Sequence, residues 1–223
     1  VAPPMLVIFD LDGTLTDSAP GIVSSFRHAL SHVGAPEPAG DLTSRVVGPP
    51  MHVTLGSMGL GDRADDAIAA YRADYGERGW AVNEMFDGVR EVLSGLQAAG
   101  VPMVVATSKS EPIARRILDH FELTQFFEVI AGASPDGARS GKAEVIAHAL
   151  SQLDEVPSVG VVMVGDRVHD VEGAAAHGIG TVIVDWGYGA TDFDDEAVSS
   201  GDLSRWIIGR VGTPQELREE LHV

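Results

Sequence analysis

Cysteine is missing from the 223-residue chain altogether. That excludes disulfides and thiolate metal sites, and it fits a reducing, cytoplasmic setting. Basic charge is scarce: 15 lysines and arginines stand against 33 acidic residues, for a formal net charge of -18. Phosphate-backbone binding relies on Lys and Arg, so nucleic acid is not an expected partner. Lysine in particular is almost absent, with only Lys109 and Lys142 in the whole chain. No apolar run approaches the roughly 18 residues of a membrane-spanning helix. The opening residues Val1-Ala2-Pro3-Pro4-Met5 lack the basic and apolar parts of a signal peptide. The expectation is a soluble cytoplasmic protein with no membrane partner; the residues are silent on oligomeric state.

What is present is a globular composition, 44% hydrophobic with 26 glycines and 12 prolines. The run Leu6-Val7-Ile8-Phe9 reads as a buried strand that ends in Asp10-Leu11-Asp12-Gly13-Thr14. If the chain stays extended through Leu11, Asp10 and Asp12 start from one side of it, at the strand's carboxyl end. In open parallel sheets that end is where ligands bind. Residues 17–86 read differently. Ile22, Val23, Phe26, Ala29, Leu30 and Val33 recur at helical spacing. Further helical stretches are expected at about 40–47, 50–58 and 62–79, and no strand.

From residue 87 strands and helices alternate. Strands are expected at 101–106, 128–131, 160–164 and 181–184, with helices at 88–99, 111–120, 142–153 and 168–177. Such alternation implies right-handed crossovers and a parallel sheet. The fold class is therefore α/β: a Rossmann-like parallel-sheet core of residues 1–16 and 87–223, interrupted by an all-helical cap of residues 17–86. The acidic run Asp192-Phe193-Asp194-Asp195-Glu196 is expected to be a solvated loop.

Three of these strands end in polar residues that can converge: Asp10 and Asp12, Thr107 and Ser108, then Asp166 and Asp170. Lys142 opens a helix nearby. Carboxylates, one cation and a hydroxyl at a sheet edge suit Mg²⁺ and a phosphate, and a carboxylate can act as the nucleophile toward phosphorus. A strong arginine bias elsewhere marks the two lysines as positions where a compact ammonium is wanted, with Lys142 the stronger candidate. The stretch Gly137 to Ala143 imitates a P-loop but fails, because its glycine spacing is short and Ala143 stands where a hydroxyl is needed.

The chain resembles the haloacid dehalogenase (HAD) superfamily, within it the phosphoglycolate-phosphatase-like group with a helical cap. Four signatures carry the resemblance in order: Asp10-Leu11-Asp12-Gly13-Thr14, Thr107, Lys142, and Gly165-Asp166-Arg167-Val168-His169-Asp170. The resemblance implies a Mg²⁺-dependent phosphatase of a small phosphorylated metabolite that works through an aspartyl-phosphate. It implies Asp10 as nucleophile and metal ligand, and Asp12 as general acid and base, with its backbone carbonyl toward the metal. Asp166 and Asp170 become metal ligands, Asp170 directly or through water. Thr107 would bind a phosphate oxygen, helped by the N–H groups of Ser108 and of the turn at Leu11 to Gly13. Many relatives carry Asn where Ser108 stands. Lys142 would bridge the phosphate and Asp10. Asp166 and Asp170 could instead simply cap the helix near Val168.

In relatives a cap loop supplies substrate contacts, which points to Arg45 beside Gly48-Pro49-Pro50. The presence of Asp12 argues against a dehalogenase, and the absence of lysine from residues 17–86 argues against a Schiff-base phosphonatase. A phosphotransferase, a sugar-phosphate mutase and a non-catalytic binding protein remain as alternatives.

Overall fold

The computed structural model describes residues 1–194 and 202–223. In chain order, strand β1 (Leu6–Phe9) is followed by the two-residue β2 (Thr16–Asp17). Helices α1 (Ala19–His32), α2 (Leu42–Val46), α3 (Met51–Gly56) and α4 (Ala64–Glu77) come next, then β3 (Glu84–Met85). The alternating part runs α5 (Val89–Ala98), β4 (Met103–Ser110), α6 (Glu111–His120), β5 (Val129–Ala133) and α7 (Lys142–Ser151). It continues through β6 (Val161–Gly165), α8 (Val168–Ala175), β7 (Gly180–Val184), β8 (Ile207–Val211) and α9 (Pro214–Glu220).

Six strands form one parallel sheet in the order β5-β4-β1-β6-β7-β8. The alternation within β1 decides the layering. Val7 and Phe9 pack with Val92 and Leu96 of α5, whereas Leu6 and Ile8 pack with Val145 and Ile146 of α7. Successive side chains of a strand leave on opposite faces, so this all-apolar run is what a sheet covered on both sides requires. Burying each such side chain contributes about 1.5–3 kcal/mol. The register sets Ile8 beside Val104 on one flank and Met163 on the other. From β1 the chain builds outward in both directions, so the strand order reverses there. A crevice opens at the carboxyl ends of the strands at such a point.

Helices α1 to α4 have a core of their own, built on Phe26, Leu30, Val46, Leu55, Tyr71 and Tyr75. The stretch from 17 to 86 is not purely helical, however. β2 and β3 pair antiparallel, Thr16 with Met85 and Asp17 with Glu84, so the two links to the cap form one ribbon. Two-residue strands carry no periodicity to read. β8 and α9 were not foreseen either, although Thr213-Pro214-Gln215-Glu216 is a capping box with proline at the first turn. The acidic run at 192–196 needs correction at its start. Asp192 is largely buried and bound to Arg167, while Asp195 and Glu196 lie outside the described residues. Among the described residues no helix is long and apolar enough to cross a membrane.

Candidate active site

β1 ends at Phe9, and the Asp10 N–H continues its pairing by donating to the Val164 carbonyl at 3.0 Å. The chain then turns tightly: the N–H groups of Leu15 and Thr16 both donate to the Leu11 carbonyl, at 2.9 and 3.2 Å. The expectation that the two aspartates share one side is thereby refined, because they meet different partners. Lys142 Nζ donates to Asp10 Oδ1 at 2.7 Å and to the Ala106 carbonyl at 3.0 Å. The same ammonium stands 2.9 Å from Asp170 Oδ1. Asp12 pairs instead with Lys109, whose Nζ lies 2.9 Å from Asp12 Oδ1, and it accepts a hydrogen bond from the Ser18 hydroxyl.

Local structure explains how a lysine comes to sit there. Lys142 is the first residue of α7, the end where the helix dipole is unfavourable to a cation. The Glu144 carboxylate takes up the free N–H groups of Ser140 and Gly141, each at 3.0 Å, which offsets that end. The buried ammonium is stabilised chiefly by the carboxylates it faces. Burial pulls its pKa down, but Asp10 and Asp170 more than reverse this and raise it above the usual lysine value.

Asp10, Asp166 and Asp170 are buried, and one carboxylate oxygen of each lies within 4.8 Å of the others. Burial, followed by the facing Asp170 carboxylate, pushes Asp10 up to about 7. Burial and the charges of Asp170 and Asp10 likewise hold Asp166 well above the ordinary carboxylate range. Like charges at this distance without solvent call for a cation between them. Asp170 Oδ1 lacks a well-formed hydrogen bond although Lys142 is near, so it is a buried acceptor with capacity to spare. Three hard oxygen donors around one spot fit Mg²⁺. The Asp12 carboxylate stands outside this cluster.

Asp170 caps α8 with one oxygen and turns the other toward the cluster; its Oδ2 accepts from the N–H groups of Asp166 and Arg167, each at 3.0 Å. Asp166 does not cap; its Oδ2 accepts from the Tyr188 N–H at 2.7 Å, and its Oδ1 from the Thr14 hydroxyl at 3.4 Å. Gly13 adopts φ +81°, and a Cβ there would meet Asp166 Oδ2 at 2.3 Å. Its N–H donates to the Thr16 carbonyl at 2.9 Å, so Gly13 serves close packing and does not offer that N–H to a phosphate. Thr107 is buried where the pairing of β4 with β5 shifts register, and its Oγ1 accepts from the Lys109 N–H at 3.1 Å; Ser110, not Thr107, precedes α6.

Beyond Asp12 and Ser108 opens a cavity of about 420 Å³ between cap and core. Its cap wall is largely apolar, with Ile22, Met51, Ile68 and Tyr71, and Arg72 is the arginine that lines it. Arg45 is exposed and donates to the Ala39 carbonyl at 3.2 Å, so the structure does not bring it to this cavity. Its position at the end of the short helix α2 turns the side chain back on its own loop.

Lys109 is marked by the scarcity of lysine, as the weaker candidate of the two, and Arg167 is missed. Arg167, inside the fourth signature, gives no such hint. It bonds Asp192 Oδ2 at 2.7 Å through Nε, and it donates to the Val47 and Ser44 carbonyls of the cap.

Comparison with known proteins follows the same lines. A family model for haloacid dehalogenase-like hydrolases matches residues 7–184. The tyrosine-protein kinase PtkA of Mycobacterium tuberculosis is 62% identical over 99% of this chain and 73% of its own length. Its solved structure superposes with a TM-score of 0.84 over 99% of both chains. A 5'-nucleotidase of Pseudomonas aeruginosa is 37% identical over 83% of this chain and 85% of its own. The structure of a predicted phosphatase from Clostridium acetobutylicum is 33% identical, with a TM-score of 0.86 over 99% of both chains.

Proposed function

Since the chain belongs to the haloacid dehalogenase-like hydrolase family and is an enzyme of its phosphatase type, we propose that it hydrolyses a small phosphorylated metabolite through an aspartyl-phosphate on Asp10. One observation carries this reading: two aspartates two residues apart each hold a separate lysine, Asp10 with Lys142 at 2.7 Å and Asp12 with Lys109 at 2.9 Å. Such a division suits two different tasks for two like groups.

Asp10 attacks phosphorus in line, forming an oxygen–phosphorus bond as the bond to the leaving alcohol breaks. Asp12 gives that alcohol its proton, then takes a proton from the water that cleaves the aspartyl-phosphate, releasing inorganic phosphate and restoring both carboxyl groups. Lys142 steadies the charge on the transferring group and on Asp10, and Thr107 with Ser108 binds the phosphate oxygens. Asp10, Asp166 and Asp170, with the Asp12 carbonyl, are the residues that would hold Mg²⁺. The ion would neutralise phosphate charge. The cap would shut out bulk water, moving on the ribbon of β2 and β3.

The cavity has room for a leaving group well beyond two carbons, since 420 Å³ falls within the range of pockets that enclose larger ligands. The test is Mg²⁺-dependent phosphate release from a panel of phosphomonoesters, with Asp10→Asn beside the unaltered chain. Undiminished turnover in that variant would sink the mechanism.

A second reading has one specific support, the name tyrosine-protein kinase on a relative 62% identical over nearly the whole chain. In it the first half-reaction is the same, and a hydroxyl acceptor replaces water in the second. Trapping experiments decide: phosphoryl label passing from Asp10 to a tyrosine-containing acceptor, at the expense of inorganic phosphate, would favour it.

A further inference from the structure

Asp12 belongs to the core, yet the group that holds its carboxylate is itself held by the cap. Lys109 Nζ is 2.9 Å from Asp12 Oδ1, and the lysine side chain is only 7% exposed. The same ammonium donates to the Tyr75 hydroxyl and lies 4.4 Å from the centre of the Tyr75 ring. Tyr75 is buried on α4 and stacks on Tyr71 with ring centres 5.5 Å apart. The second anchor of Asp12 is Ser18, which immediately precedes α1 at the cap's other root. Both contacts fall on Oδ1; among the described residues Oδ2 takes no hydrogen bond and is the oxygen left to exchange a proton.

We propose that Tyr75 and Lys109 are a positioning pair that orients Asp12 for proton transfer only while the cap is closed. The proposal rests on the phosphatase reading. When the cap swings away on its ribbon, Tyr75 leaves with α4. Lys109 then loses its hydroxyl acceptor and its aromatic face, and becomes a solvated ammonium on a four-carbon stem. Asp12 keeps its place in the turn but loses a fixed partner. A compact ammonium can serve the carboxylate, the hydroxyl and the ring together, which a planar guanidinium cannot do in the same space. That accounts for lysine here in a chain that otherwise prefers arginine.

The test compares two monoesters that differ in leaving group, using the full chain with Mg²⁺. Nitrophenolate departs without help, whereas the alkoxide of glycerol phosphate needs Asp12's proton. The value of kcat/KM covers only the steps up to phosphoryl transfer onto Asp10, so it isolates that proton. For Lys109→Met, kcat/KM for glycerol phosphate is expected to fall by about 10²-fold, and for nitrophenyl phosphate by less than about 5-fold. Tyr75→Phe, which loses one hydroxyl, shows the same inequality at about 3- to 10-fold, and Lys109→Arg does not restore the alkyl ester. Binding of inorganic phosphate stays within about 3-fold of the unaltered chain in each variant. Equal losses on both esters, or a loss matched by weaker phosphate binding, overturn the proposal in favour of a structural or substrate-contact role. Should Lys109→Met fail to fold, Tyr75→Phe decides alone, and an unchanged ratio between the esters overturns it. Failure of the phosphatase reading shows elsewhere: the unaltered chain then releases phosphate from neither ester, and the inference falls with it.

Discussion

The carboxylate cluster at the sheet edge and the seam beneath the cap each contain one lysine, 6% and 7% exposed, and each lysine pairs with one aspartate of the first signature. They are held in different ways. Lys142 takes all its partners from the core: Asp10, Asp170 and the Ala106 carbonyl. Lys109 is shared between Asp12 of the core and Tyr75 of the cap. The cluster is thus assembled once, at folding, and its charges are compensated whatever the cap does. On the proposal above, the seam is assembled at each closure. On the proposed mechanism both aspartates act in the same step, and closure would complete the site by bringing Tyr75 from the cap to Lys109, the partner of Asp12.

Lys142→Met attacks the permanent half, and the largest effect is expected there. It leaves Asp10 and Asp170 facing each other in a buried place without their ammonium, a change that costs about 3–5 kcal/mol. Denaturant titration measures that loss, and it should be much larger than for Lys109→Met, whose partners can return to solvent when the cap opens. Equal losses would break the comparison.

Metal addition sharpens it further. The Asp10 carboxyl is raised from 3.8 to about 7, so its protonated form favours the fold. That contribution is complete below about pH 3.8 and is lost as pH rises through 7, where the cluster becomes more negative. Mg²⁺ at one fixed concentration, about a hundredfold above its dissociation constant at pH 8, should therefore raise Tm by about 5–10 °C at pH 8, and by less than half of that at pH 5.5, where proton competition weakens binding. Thermal melts at both values check the sign, and a larger rise at the lower pH contradicts it.

Arg167→Ala tests the seam from its other side. It removes the bonds to the Val47 and Ser44 carbonyls and the ion pair with Asp192. A cost of about 2–3 kcal/mol is expected, with faster proteolysis at the ribbon of residues 82–87 as the sign that the cap has loosened. Thr213→Ala supplies the smallest effect and the control. It removes the cap of α9, which accepts from the Glu216 N–H at 3.1 Å, for about 1 kcal/mol. α9 packs on α5, away from both lysines, so phosphate release should not change.

Much of this was legible in the residues. An apolar tetrapeptide with no alternation has to be covered on both faces, and that placed β1 inside the sheet. The four signatures named six of the side chains that meet at the sheet edge: Asp10, Asp12, Thr107, Lys142, Asp166 and Asp170. Even the scarcity of lysine pointed at Lys109, although its partner could not be read, since Tyr75 lies 34 positions away on a helix whose rotation is set by its packing on α1. Arg45 shows the opposite case. Its type and neighbourhood suited a substrate contact, but a five-residue helix fixes which way it leaves the backbone, and Arg72 on α4 lines the cavity in its place.

By itself, then, the sequence determined the strand that carries Asp10, the order of the signatures and the scarcity of positive charge. Those are properties of short windows and of composition, and local physics suffices for them. Which lysine meets which aspartate was decided by tertiary structure alone. Lys142 reaches Asp10 across 132 positions because α7 docks on β4 and β5 next to β1, and Lys109 reaches Tyr75 because the cap folds back over β4. Pairings at such separation depend on how helices pack on a sheet and on each other, and no window of residues contains that information.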